Sequence, residues 1–256
     1  MKDTAETTMT TSQSKDIADQ MQALIAEIYS VFAKYKLAND IQGVCTYCCL
    51  SGDSLAEIKK NPVSSLSAQA IFDYLDAAAN EPESLVVEIK YLLPRILELF
   101  NNGQEIRIDT EISFDKFHLS IIELWQPQEI ELIQRFARLH FQKLITGCND
   151  VHKSVEAILS MWKSAGLSAD FLFAVWEENV SYHTAIIGYI ECLYKADNFK
   201  FSQISICNDF DRNIINWATS PRVIKLFQDS VYSNLDDLDT LSESELFDYD
   251  YLLNYA

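Results

Sequence analysis

The sequence predicts an all-α protein, an irregular multi-helix bundle of helix-loop-helix units with little or no sheet. Three observations point there. The 256 residues contain only 6 Gly and 5 Pro, so helix breakers are scarce. Leu, Ile, Ala, Glu and Lys recur at three-and-four spacing, the period of one helix face. Hydrophobic residues make up 48% of the chain and aromatics 12%, enough to fill a core at this length.

Residues 1–14 are polar and Thr-rich and read as a flexible start, with neither the basic nor the apolar stretch of a signal peptide. Residues 15–36 follow as an amphipathic helix with Ile17, Met21, Leu24, Ile25, Ile28, Phe32 and Tyr35 along one stripe. Residues 37–66 look irregular, punctuated by Gly43, Gly52 and Asn61-Pro62, with one short helix near 54–60. Ser67 is placed to cap a helix through Ala79, and Pro82 suits the first turn of the next one. That helix is expected to kink at Pro94, continue to Phe100 and end at Asn102-Gly103.

Residues 104–113 alternate through Ile106, Ile108 and Ile112, which suits a short strand or an extended loop. Helices are then expected over 114–124, 127–145 and 149–163. Ser168 can cap a long helical region reaching Leu193, residues 201–207 are ambiguous, and Asp209 and Pro221 open two more helices. The whole of 15–233 reads as one helical domain. Residues 234–256 form a distinct acidic, aromatic segment in which Ser242 and Glu245 have capping-box spacing, so its last dozen residues are expected to be helical.

Charge is distributed unevenly. The net charge is -18, and it falls in two blocks: -8 over 37–128 (14 acids, 6 bases) and -8 over 226–256 (8 acids, no base). Residues 1–36 and 129–225 carry -1 each. An acidic surface repels nucleic acid and anionic lipid and attracts basic proteins. No run approaches the roughly 18 apolar residues of a membrane span. The chain is therefore expected to be cytoplasmic, without nucleic-acid or membrane partners.

No nucleophile elbow, zinc-protease helix or phosphate-binding loop occurs, and none of His118, His140, His152 and His183 sits in a nucleophile motif. The chain is expected not to be an enzyme; the alternative is a site assembled from scattered residues such as His183, Glu177 and Glu178. Cys45, Cys48 and Cys49 have metal-ligand spacing, but a structural zinc site needs four ligands and no second pair follows. Cys148 with His152 is the one conceivable complement for a zinc-stabilised adaptor. Neither cofactor nor metal is expected, and the bland reading of the three cysteines is a packed turn of small thiols.

One resemblance bears on function. Cys45-x-x-Cys48-Cys49, Pro62-Val63-x-x-Leu66-Ser67 before an Ala-rich helix with Tyr74, Tyr91-Leu92-Leu93-Pro94-Arg95-Ile96-Leu97-Glu98-Leu99 and Trp125 follow in order. Over residues 40–145 this resembles a scaffold of helical bacterial accessory proteins, some of which accompany polymorphic toxins of the Rhs type delivered by type VI secretion. The resemblance implies a cytoplasmic immunity protein that occludes the active or substrate-binding surface of a cognate secreted toxin. The charge pattern adds a basic toxin domain as the partner. The binding residues expected are Asp236, Asp237, Asp239, Glu243, Glu245, Phe247, Asp248, Tyr249, Asp250 and Tyr251 in the tail, with Asp53, Glu57 and Asp76 in the first acidic block. Carboxylates would steer the approach while aromatics anchor it.

Overall fold

The apolar stripe of the first helix finds its partner in the longest hydrophobic run of the chain. In the computed structural model α1 (Thr4–Phe32) buries Ile17, Met21, Leu24, Ile28 and Phe32, and it packs on α4 (Pro82–Asn101). Helix α4 continues through Pro94 and buries Leu85, Val86, Ile89, Leu92, Leu93, Ile96, Leu97 and Phe100. So wide an apolar surface marks a helix covered on most sides. The structure describes residues 4–38, 40–148, 154–168, 170–201, 209–233 and 242–255.

The chain is all-α. Two short helices precede α4: α2 (Gly52–Lys60), capped by Ser51, and α3 (Ala68–Asp76), capped by Ser67 as its sequence position predicts. After α4 come α5 (Pro127–Ile145), α6 (Val155–Ser164), α7 (Asp170–Glu178), α8 (His183–Phe201), α9 (Asp209–Ala218), α10 (Pro221–Ser233) and α11 (Glu243–Leu253). The described residues hold no strand, only an isolated antiparallel bridge between Val44 and Ala79.

Three sequence expectations change. The first helix, expected over 15–36, runs from Thr4 to Phe32. The helix expected over 114–124 is replaced by single 3-10 turns at Asp115–Phe117 and Ile122–Leu124, because His118 adopts a left-handed conformation (φ 49°, ψ 42°) that no helix can pass through. Burial explains the choice: Phe114, Phe117, Leu119 and Trp125 are all buried, a spacing that no single helix face provides. The long helix expected from Ser168 is two helices, α7 and α8, separated by residues 179–182. The stretch 202–208 and the start of the helix expected from Asn149 lie outside the described residues.

Contacts divide the chain into two compact units, one of Met1–His140 and Ala157–Ala169, the other of Phe141–Glu156 and Asp170–Ala256. The first is centred on Phe114, whose ring lies 4.9 Å from Phe100, 4.6 Å from Phe117 and 4.9 Å from Trp162. It also holds two buried carboxylates. Glu88 accepts from the Tyr74 hydroxyl (2.8 Å) and the Gln42 backbone N–H (2.5 Å), pinning the 40s loop to α4. Glu129, fully buried, is met by Lys90 (2.8 Å), Lys34 (2.9 Å), the Tyr35 hydroxyl and the Gln126 N–H. Burial alone would raise the Glu129 pKa; the bonds from Lys90 and Tyr35 outweigh it and hold the group at about 2.

The second unit has an aromatic core of its own. Tyr189 stacks on Phe227 at 3.9 Å, Phe173 stacks on Trp217 at 4.5 Å, and Trp176 lies 5.0 Å from Trp217. Its polar tips are satisfied: Trp176 donates to the Ala185 carbonyl and Tyr189 to that of Ala218.

Candidate functional site

The acidic tail contains a helix that uses part of its charge to dock. Ser242 and Glu245 form a full capping box at the start of α11, each side chain bonding the other's backbone N–H. Glu245, Tyr249 and Leu252 follow at four- and three-residue spacing, so they share one face. Tyr249 is only 6% exposed and Leu252 is fully buried. Helix α11 packs on α8 and α10 within the second unit.

His183, the first residue of α8, clasps that face. Its Nε2 lies 2.9 Å from Glu245 and its Nδ1 2.9 Å from the Tyr249 hydroxyl. An ionised carboxylate only accepts, so in the neutral ring Nε2–H donates to Glu245 and Nδ1 accepts from Tyr249. Burial, then the Glu245 charge, pushes the Tyr249 phenol up to about 12. Asp248 accepts from Tyr194, and Gln228 of α10 donates to the Leu252 and Tyr255 carbonyls at the other end of the helix.

The adjacent face of α11 is different. Phe247, Asp250, Tyr251 and Asn254 recur at three, one and three residues, and with Tyr255 and Asp197 of α8 they line an open groove of about 410 Å³. Asp197 accepts from Tyr251 (2.5 Å) and from Tyr255 (2.9 Å), and Tyr251 stacks on Tyr194 at 4.2 Å. Phe247 is 69% exposed, although a phenyl ring gains most by burial. A groove with carboxylates at Asp197 and Asp250 and aromatic walls at Phe247, Tyr251 and Tyr255 has the chemistry to take a Lys or Arg side chain, by charge and by cation–π contact.

The residues expected from sequence thus separate into groups. Glu245, Asp248 and Tyr249 bond within the protein; Tyr251 and Asp250 both line the groove and bond internally, Tyr251 donating to Asp197 and Asp250 accepting from the Asn254 amide (3.0 Å); Phe247 faces the groove and Glu243 is exposed. Asp236, Asp237 and Asp239 lie outside the described residues. In the other unit Asp53 is exposed on the first turn of α2. Glu57 accepts from the Ser67 backbone N–H (2.6 Å) and hydroxyl (3.0 Å), so it serves the start of α3. Asp76 pairs with Arg107 (3.2 Å), which also binds Asp115. Asp197 was missed by sequence reading, since it sits in a nearly neutral stretch and only the fold carries it to α11.

The residues named for an enzymatic alternative also have partners. Glu177 takes a two-pronged bond from Arg222 (2.8 and 2.6 Å) and one from the Trp217 indole (2.9 Å), while His183 is held by Glu245 and Tyr249. Glu178 is exposed on the last turn of α7.

Cys45, Cys48 and Cys49 converge. Cys48 Sγ lies 3.4 Å from that of Cys45 and 3.5 Å from that of Cys49, and all three sulfurs fall within 4.8 Å of one another. Cys45 is half-buried and the other two are exposed, with Tyr47 between them 98% exposed. The expected packed turn is therefore only half right: the thiols meet, but at the surface. The Cys48 N–H, then its thiol and the Tyr47 N–H, bring the Cys45 pKa down to about 7, and the thiols of Cys45 and Cys49 hold Cys48 up at about 11. Among the described residues no His or carboxylate joins this cluster, and His152 lies outside them.

No known protein family, curated protein or solved structure matches the chain. Among the described residues, no helix is long and apolar enough to cross a membrane.

Proposed function

We propose that the chain is a cytoplasmic inhibitor that binds a basic protein and covers its working surface, the first partner to consider being the toxic domain of a secreted polymorphic toxin. The observation that supports this most is the groove on α11. There the 69% exposed Phe247 ring stands beside two carboxylates and two tyrosines, a combination suited to a cationic side chain. Lys or Arg of a partner would enter between Asp197 and Asp250 and lie against Phe247. Exposed acids such as Glu243 and Asp53 would add long-range attraction, which raises association rates up to about 10⁸–10⁹ M⁻¹s⁻¹ at low salt.

Occlusion, rather than turnover, is favoured because His183, Glu177, Glu245 and Tyr249 hold helices together. The test is to look for a toxin domain encoded in the genes adjoining this chain's own, and to measure its capture by the chain together with protection of cells that express it. Co-elution with protection supports the proposal; a chain that neither binds nor protects refutes it.

A further inference from the structure

A free cysteine is among the most buried of residues, and a surface cysteine calls for a chemical reason. Here three sulfurs meet at the surface on a turn whose ends are fixed by the backbone. The Cys45 N–H donates to the Ala78 carbonyl (2.8 Å), and the Leu50 N–H returns to the Cys45 carbonyl (3.2 Å). On the near side of the turn, the Asn80 N–H donates to the Gly43 carbonyl (2.9 Å) and its side chain to that of Gln42 (2.7 Å). The thiols are thus held by main-chain geometry and not by a hydrophobic pocket.

Their spacing suits one ion. Three sulfurs each about 2.3 Å from a metal at the centre of their plane stand about 4.0 Å apart. The observed separations of 3.4 and 3.5 Å, with the third no greater than 4.8 Å, lie close enough to that value for small side-chain rotations to reach it. Two sulfurs joined as a disulfide would leave the third without a role, whereas one ion uses all three.

We propose that Cys45, Cys48 and Cys49 form a surface site for a soft monovalent ion, Cu(I), bound by three thiolates. The donor set selects the ion: sulfur alone suits Cu(I), while Zn(II) prefers four ligands and finds no fourth among the described residues. Binding replaces three S–H bonds by three Cu–S bonds and releases the three thiol protons to solvent, with no change of oxidation state. Exposure of Cys48 and Cys49 gives the ion, or a donor protein, direct access.

The experiment is an anaerobic titration of the reduced full-length chain with Cu(I) against a chromophoric Cu(I) chelator, with Zn(II) in a parallel arm. One Cu(I) per chain is expected, with X-ray absorption reporting three sulfur neighbours. Cys48→Ser and Cys49→Ser, at exposed positions that leave the helical circular dichroism unchanged, should each weaken Cu(I) binding by more than about tenfold. Cys148→Ser, in the other unit, should have no effect. Unaltered Cu(I) affinity in the two serine variants, a site with fewer than three sulfurs, or stoichiometric Zn(II) binding without Cu(I) binding would overturn the proposal.

Discussion

Tyr251 of α11 donates a 2.5 Å hydrogen bond to Asp197 of α8 while its ring stacks on Tyr194. A segment that by charge alone looks like a solvated tail is thereby part of a packed unit. Truncation inside its buried face should cost accordingly: Leu252→Ala is expected to destabilise the chain by about 2–5 kcal/mol in urea unfolding. A change within error would mean that α11 is not docked in solution.

The buried Glu129 predicts an acid transition. Its folded pKa of about 2 lies below the ordinary value of 4.5, so its contribution is complete above about 4.5 and is lost as pH falls toward 2. Glu129→Gln removes the charge opposite Lys90 and Lys34 and should cost about 3–5 kcal/mol at neutral pH. It should also flatten the stability-versus-pH curve between those two values, measured by denaturant unfolding at a series of pH.

Gly166 sits at φ +98°, where a side chain is strained, and a Cβ there would stand 2.5 Å from the Ser120 backbone nitrogen. The Leu119 N–H also donates to the Ala165 carbonyl at 2.8 Å, so neither backbone can retreat without breaking a bond. Gly166→Ala should lower the midpoint of thermal unfolding and cost about 1–3 kcal/mol. Gly52→Ala, with nothing within 4 Å, serves as the contrast and should cost little.

Helices were legible where spacing and caps agreed. Ser67, Pro82, Pro127, Pro221 and the Ser242-Glu245 pair each mark a helix start that the structure retains, because those signals act within one turn. The segment around His118 was illegible because its conformation is set by where Leu119 must be buried together with Phe114, Phe117 and Trp125, a tertiary demand. The candidate site was half legible for the same reason. Charge and aromatics pointed to the tail, but which of them faces outward depends on α8, which supplies His183, Tyr194 and Asp197 from 54 to 66 residues away.

The most direct test of the groove is the affinity of the chain for the basic toxin domain proposed as its partner, measured by titration calorimetry at low and high salt for the wild type and for Phe247→Ala combined with Asp250→Asn. Both positions face the groove and neither supports the core, so helicity and unfolding should be preserved. The double variant is expected to bind at least about tenfold more weakly and to lose part of the salt dependence. Equal affinity with unchanged salt dependence would show that α11 is not the docking surface.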